Sequence, residues 1–488
     1  MKKGLVIIMA LVTGLAAFGL CPAFGDQQIP SESWMGVYMA GQKLGYMHMT
    51  TERAQFEGRD CLRIQSFFRT KMVLLGANVQ QDIKTTVYTD ERFTPIFETF
   101  NMSSGGSSTT VEARFSDREI KCKVINTQST SEKVVPIAEG VSLVGDSMYA
   151  LGPGNIEIGQ KAKMYFFNPL TLNIEPIAVE VIRREEVDVK GIKYNAFVIK
   201  NTMPMTGDMT CWHTEDGKLI KSEALMGLTM ITESAEEAVA GVDSDYVPPT
   251  DLAVLTSVKA NIDLPDPRST KKLIIKLSGK LEPKMGISDK RQQVKWLNES
   301  GETKTAEFTI DSGSFDAKNS VTLPVTNSSL SKYIQPTAYL QSDAPEIKAK
   351  AAEIVGNEKS AYKAAKKIRA WVSSNIKPQA DIGIARPSLD VLKMKVGVCR
   401  DYAVIFAALA RAAGIPTKVV AGIVYMNGSF YYHAWVESYV GEWVAFDATQ
   451  KTDFVDATHI KFAEGDATNM FEMSPVFGTL KAEIVKYH

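Results

Sequence analysis

Hydrophobic and polar positions change their rhythm twice along the chain. From Asp26 to about Glu233, short apolar–polar alternations such as Thr85–Tyr88 and Ala196–Ile199 are broken by turn residues. The period of two predicts half-buried strands and an antiparallel, β-rich domain. Glu215-Asp216-Gly217-Lys218 reads as a turn, and Ser103–Thr110 as a Ser/Gly/Thr loop. An acidic stretch from Glu233 to Asp245, closed by Pro248-Pro249, is the candidate linker. Residues 251–340 lean towards strand again, clearest at Lys272–Leu277 and Thr305–Ile310, with Leu264-Pro265-Asp266-Pro267 as a rigid turn. At Ala344 the period lengthens. Pro345–Val355 and Ser360–Ile376 predict helices, the second with Ala361, Ala364, Ala365, Ile368, Trp371 and Val372 on one face. That stripe reads as core.

The expected organisation is therefore multidomain: a leader at 1–25, a β-rich domain at 26–245, a β-leaning segment at 246–343 and an α+β domain at 344–488. The leader reads as a secretory signal. Lys2-Lys3 is followed by an apolar run to Leu20 and by Ala23-Phe24-Gly25, which places cleavage before Asp26. The run is short for a membrane span. Lipid attachment at Cys21 is the lesser alternative, because Leu20 is bulky where a small residue is wanted. Export to the periplasm or outside the cell is the expected location, with no stable membrane span after cleavage.

Composition narrows the function only a little. The formal net charge is −1, with no long basic run, so nucleic acid is not an expected partner. After cleavage four cysteines remain, Cys61, Cys122, Cys211 and Cys399, without metal-type spacing, and neither metal nor cofactor is expected. One pair among the first three has the option of bridging in an oxidising compartment. Cys399 stands apart, in a different context. His48 and His213 are isolated and read as structural or surface residues.

The chemistry concentrates in 397–447. Gly397-Val398-Cys399 precedes a predicted helix from Arg400 to Ala413, apolar all round from Ala403 to Ala410 and stopped by Gly414 and Pro416. Cys399 is thus expected at the helix N-terminus, where the dipole and free N–H groups favour a thiolate and a developing oxyanion. Asp401 reads as a helix-start acid. A thiolate needs a base, and the base needs an orienting partner. His433 lies in a predicted strand, Phe430–Tyr439, and Asp447 ends another, Trp443–Asp447. A three-residue loop at Tyr439-Val440-Gly441 would set His433 opposite Asp447, whereas a two-residue loop would turn His433 to the other face.

Gly397-Val398-Cys399-Arg400-Asp401-Tyr402-Ala403, Ala410-Arg411-Ala412-Ala413-Gly414-Ile415-Pro416, His433-Ala434-Trp435-Val436-Glu437 and Trp443-Val444-Ala445-Phe446-Asp447-Ala448-Thr449 together resemble the transglutaminase-like superfamily. The resemblance covers roughly 345–465. It implies a papain-like cysteine-enzyme fold with an antiparallel sheet, Cys399 as nucleophile, His433 as base and acid, and Asp447 as its orienter. It implies acyl transfer from protein or peptide amides to water or an amine. Asp456-Ala457-Thr458-His459-Ile460 also resembles a stretch in a bacterial branch, with His459 read as structural. No calcium loop is recognisable. Trp371 and Trp435 stay open as oxyanion or shielding residues, with packing the alternative for each. The β-rich front resembles uncharacterised regions joined to such domains, and its partners are unknown. Arylamine acetyl transfer shares the Cys-His-Asp order but fits poorly with export, and papain-type peptidases differ around the cysteine. The contrasting class is a non-enzymatic envelope binding or scaffold protein that has kept the fold.

Overall fold

A computed structural model describes residues 29–39, 41–74, 76–144, 156–203, 207–224, 227–242 and 251–488. The leader read from residues 1–25 lies outside them. The chain forms two compact units, one holding 78–251 with most of the preceding strands, the other holding 252–488.

The first unit is a single antiparallel meander. Among the described residues it contains a 14-stranded sheet with Ser31–Met39 in the middle. Strands run outward in sequence order on one side to Thr130–Pro136, and on the other from Leu228–Thr232 back to Lys161–Asn168. The alternation is plain in Arg59–Leu74, where every second residue from Leu62 to Leu74 is buried. Ser103–Thr110, expected as a loop, is a hairpin: Pro95–Ser104 pairs with Ser107–Phe115 around Gly105-Gly106. The polar Ser and Thr positions are tolerated because the cross-strand ladder satisfies their backbone.

The acidic stretch expected as a linker begins as part of this sheet unit. Glu233 is fully buried, paired to Lys43 at 2.9 Å and Lys190 at 2.6 Å, and accepts the Tyr38 hydroxyl at 2.5 Å. Ser234 then caps a short helix, Ala235–Val239, in a reciprocal box with Glu237. Glu233, read from the sequence as the start of a linker, is instead paired with Lys43 and Lys190.

In the second unit the segments expected as a middle and a C-terminal domain lie within one compact body. A four-stranded sheet orders Gln292–Asn298, Lys304–Asp311, Lys272–Gly279 and Lys481–Tyr487, so the end of the chain supplies an edge strand. A five-stranded antiparallel sheet is built on Thr417–Met426 and Ser429–Tyr439, with Ile460–Gly465, Val258–Lys259 and Trp443–Phe446 beside them. Helices Pro345–Val355 and Ala361–Asn375 pack with a third, Cys399–Ala412, whose residues from Cys399 to Arg411 are all buried. Such all-round burial explains why that sequence is apolar on every side. Phe406 of the helix stacks on Phe446 with ring centroids 5.8 Å apart. Gly414, at φ +79, ends the helix, as expected for a residue without Cβ.

Gly422 is opposite His433 in the sheet. A Cβ there would overlap the Ile460 carbonyl on the other neighbour and stand 2.9 Å from Trp435. Gly422→Ala is therefore expected to destabilise this unit by about 1–3 kcal/mol through forced strand displacement. A thermal melt followed by tryptophan fluorescence should show it, and an unchanged melt would contradict the close approach.

Candidate active site

The cysteine helix begins at Cys399, with Val398 in extended conformation as its N-cap. Valine offers no capping oxygen. Asp401, two residues into the helix from Cys399, accepts the Val398 N–H at 3.0 Å instead. Its carboxylate is fully buried between Arg386 at 3.2 Å and Arg400 at 3.4 Å. Burial alone would raise the Asp401 pKa, but the two guanidinium groups and the Val398 N–H hold it below the usual range. Arg386 also donates to the Val396 carbonyl at 2.6 Å, tying the approach to Cys399. Gly397 is required here, since an added Cβ would sit 2.5 Å from Asp401 Cβ. The residue read as a simple helix-start acid is thus the brace of the turn that presents Cys399.

His433 and Asp447 meet. The imidazole Nε2 and the carboxylate Oδ2 are 2.9 Å apart, and both side chains are 2% exposed. The register differs from the one expected. Val436 pairs with Phe446 and Tyr439 with Trp443, so the loop is Val440-Gly441-Glu442, one residue later than predicted. Strand pairing ends at Phe446, and Asp447 reaches His433 from just beyond the strand. The face is nevertheless the expected one, because a shift of two positions along a strand preserves the side.

Asp447 is fixed by the turn that follows. Thr449 donates its N–H at 2.8 Å and its hydroxyl at 2.7 Å to Oδ1. Oδ2 takes the His433 imidazole at 2.9 Å and shares the Thr449 hydroxyl, also at 2.9 Å. Burial opposes charge on both partners. For His433 the Asp447 charge, its hydrogen bond and the neighbouring Cys399 outweigh that and raise the pKa to about 10. For Asp447 the His433 charge outweighs burial and holds the carboxyl well below its usual range. With Nε2 committed to Asp447, Nδ1 is the ring nitrogen left for the thiol.

His459, read from the sequence as structural, joins this group. Its Nε2 is 3.4 Å from Asp447 Oδ2, and its Nδ1 is 3.4 Å from Asp456 Oδ1. The visible signal was a repeated tripeptide. Asp447-Ala448-Thr449 and Asp456-Ala457-Thr458 form the same turn, each threonine N–H donating to its aspartate at 2.8 Å. His433, Asp447 and His459 bring their donor atoms within 4.8 Å of one another. The hydrogen bonds among them describe a polar row, with Asp447 already turned to its imidazoles and its threonine.

Trp435 is 1% exposed and packs with Val420, Ala445 and Val455. It also lies 6.2 Å from His433 and edge-on to His459 at 5.3 Å, so it combines the packing and shielding roles left open. Trp371 is partly exposed on its helix, with Lys350 5.8 Å over the ring. The four described cysteines are buried and none of them stands in a disulfide, so the optional bridge is not formed among the described residues. His48 stacks on Trp34 and pairs with Glu32, and His213 is fully buried beside the Gly217 carbonyl.

The raised His433 pKa gives a signed stability prediction. A group raised on folding contributes fully below its ordinary value of 6.5, and the contribution is lost as pH rises through about 10. The thermal-midpoint difference between the native protein and His433→Gln should be largest near pH 6 and shrink towards pH 10. A difference that grows over this range would contradict the imidazolium assignment.

Residues 348–448 match the family model of the transglutaminase-like superfamily, and residues 35–232 match a family described as a protein of unknown function, DUF3108. No curated protein matches the sequence. Among solved structures, a candidate cysteine protease from Cytophaga hutchinsonii is 19% identical, covering 45% of this chain and 89% of that one, with a TM-score of 0.34. A β-barrel-like protein of a domain of unknown function, DUF1849, from Brucella abortus is 11% identical, covering 42% and 96%, with a TM-score of 0.32. A candidate protease from Parabacteroides distasonis is 13% identical, covering 75% and 67%, with a TM-score of 0.21. The chain carries a transglutaminase-like domain of that superfamily behind a large β-rich region.

Proposed function

We propose that this protein is an exported thiol enzyme that transfers acyl groups from protein or peptide amides. The reading rests on one observation: a cysteine at a helix start, a buried histidine and its aspartate converge from three separate segments. In the proposed reaction His433 Nδ1 takes the Cys399 proton, and the thiolate adds to the amide carbonyl carbon. Free N–H groups of the first helical turn stabilise the oxyanion that forms. Imidazolium His433 then gives its proton to the leaving amine as the C–N bond breaks, leaving a thioester on Cys399. Water or a second amine attacks the thioester, His433 removes its proton, and the thiol returns. Asp447 keeps the ring oriented and offsets its charge throughout. The residues used require neither metal nor cofactor for this sequence of steps.

Cys399→Ala is the direct variant. Alanine fits the same backbone, so turnover of a peptide amide or ester should be lost while the thermal midpoint stays within about 1 °C, the change expected when only one sulfur is removed. Retained turnover would contradict the assignment of Cys399. The export half of the proposal is checked separately. Intact-mass measurement of protein from its native host should give a chain starting at or near Asp26, and a chain retaining Met1 would refute export through this leader.

A further inference from the structure

The turn that carries Cys399 is gripped by a second segment, residues 376–386. The Tyr402 hydroxyl, one helical turn past Cys399, donates to the Ile376 carbonyl. Lys377 and Pro378 pair in parallel with Val396 and Gly397, and the Gln379 N–H donates to the Gly397 carbonyl at 2.9 Å. The segment then leaves the turn and returns to it. The Arg400 side chain donates to the Ile384 carbonyl, and Arg386 pairs with Asp401 at 3.2 Å. Ile382 and Ile384 are buried and hold the excursion down. Asp381 lies within it, two residues from Gln379, a span of at most about 7 Å.

Asp381 is half-buried, and its Oδ1 is buried without a hydrogen bond. Its carboxylate makes neither a hydrogen bond nor an ion pair among the described residues. Glu175 also has a buried oxygen without a partner, but its second oxygen is bonded to Thr171 and Asn168. A buried acceptor left unpaired costs folding free energy, and native chains keep few of them. One kept beside the proposed nucleophile calls for a ligand. We propose that Asp381 is a substrate-binding residue whose carboxylate accepts an N–H of the acyl donor, next to the carbonyl that Cys399 attacks. The inference rests on the acyl-transfer reading above and names its substrate class: acyl groups with an N–H near the carbonyl, as peptides have.

A carboxylate oxygen accepts, so the group that completes it is a donor. The amide N–H of a peptide and the ammonium of an amine-bearing acyl group share that chemistry, and the ammonium gives the stronger bond. An acyl group without a donor covers Asp381 and leaves it unpaired, so it is held less well. Asp381 fixes the acyl group and moves no proton.

Acylation of Cys399 by three p-nitrophenyl esters tests the proposal: acetyl, with no N–H; N-acetylglycyl, with a neutral amide N–H; and glycyl, with an ammonium. Each rate is read from nitrophenolate release, located by peptide mass, and divided by the rate of the same ester with a free thiol. The native protein should favour an N–H ester over acetyl about tenfold. Preference for N-acetylglycyl marks a peptide amide as the ligand, and preference for glycyl marks an amine. Asp381→Ala should lose the preference while iodoacetamide alkylation of Cys399 stays unchanged. Its thermal midpoint should equal or exceed the native one, because no bond is removed. Equal corrected rates for the three esters in the native protein, a preference that survives in Asp381→Ala, or a lowered midpoint would overturn the role and leave the acyl-transfer reading intact. No thioester on Cys399 with any of the esters would overturn both.

Discussion

The site depends on one contact, the bond from Asp447 to His433 inside a closed interior. A buried carboxylate facing a buried imidazole is costly to assemble, since each charge loses its water. The cost is offset only if the two stay at hydrogen-bond distance and the spare oxygen is satisfied. Three features of the sequence meet that demand. The loop at Val440–Glu442 keeps His433 and Asp447 on one face, the Asp-Ala-Thr turn occupies the spare oxygen, and Trp435 fills the space beside the rings.

Cys399, the proposed nucleophile, is presented by a parallel solution. Cys399 follows a valine that cannot cap a helix, so a second buried carboxylate, Asp401, reaches back to the Val398 N–H. Its charge is balanced by Arg386 and Arg400. Each half of the pair is therefore positioned by an aspartate that does not touch the reacting atoms. Gly397 and Gly422 are two positions near the site where an added Cβ would collide, with the Asp401 side chain and with the Ile460 carbonyl.

Much of this was legible in the residues. Hydrophobic period placed Pro345–Val355 to the residue and the cysteine helix within one residue at each end. Strand alternation put His433 and Asp447 on one face. What escaped reading has physical causes. Loop register depends on which residue follows the last ladder pair, and Tyr439, Val440, Gly441 and Glu442 carry no decisive turn preference. The stretch from Glu233 read as a linker because the partners of Glu233, Tyr38, Lys43 and Lys190, lie far off in sequence. The strand Lys481–Tyr487 joins Lys272–Gly279 across some two hundred residues, a pairing no local pattern announces. His459 was read as structural, and its place 3.4 Å from Asp447 was not legible because a lone histidine carries no period, although the repeated Asp-Ala-Thr beside it was visible.

In the proposed reaction Cys399 forms a covalent acyl intermediate with His433 as its proton carrier. Rapid acid quench of the protein mixed with an activated acyl ester, followed by peptide mass mapping, tests this most directly. A burst of acyl thioester on the Cys399 peptide is expected, absent in Cys399→Ala and slowed by orders of magnitude in His433→Gln. Acyl label spread over lysines, or a burst that persists without His433, would contradict it.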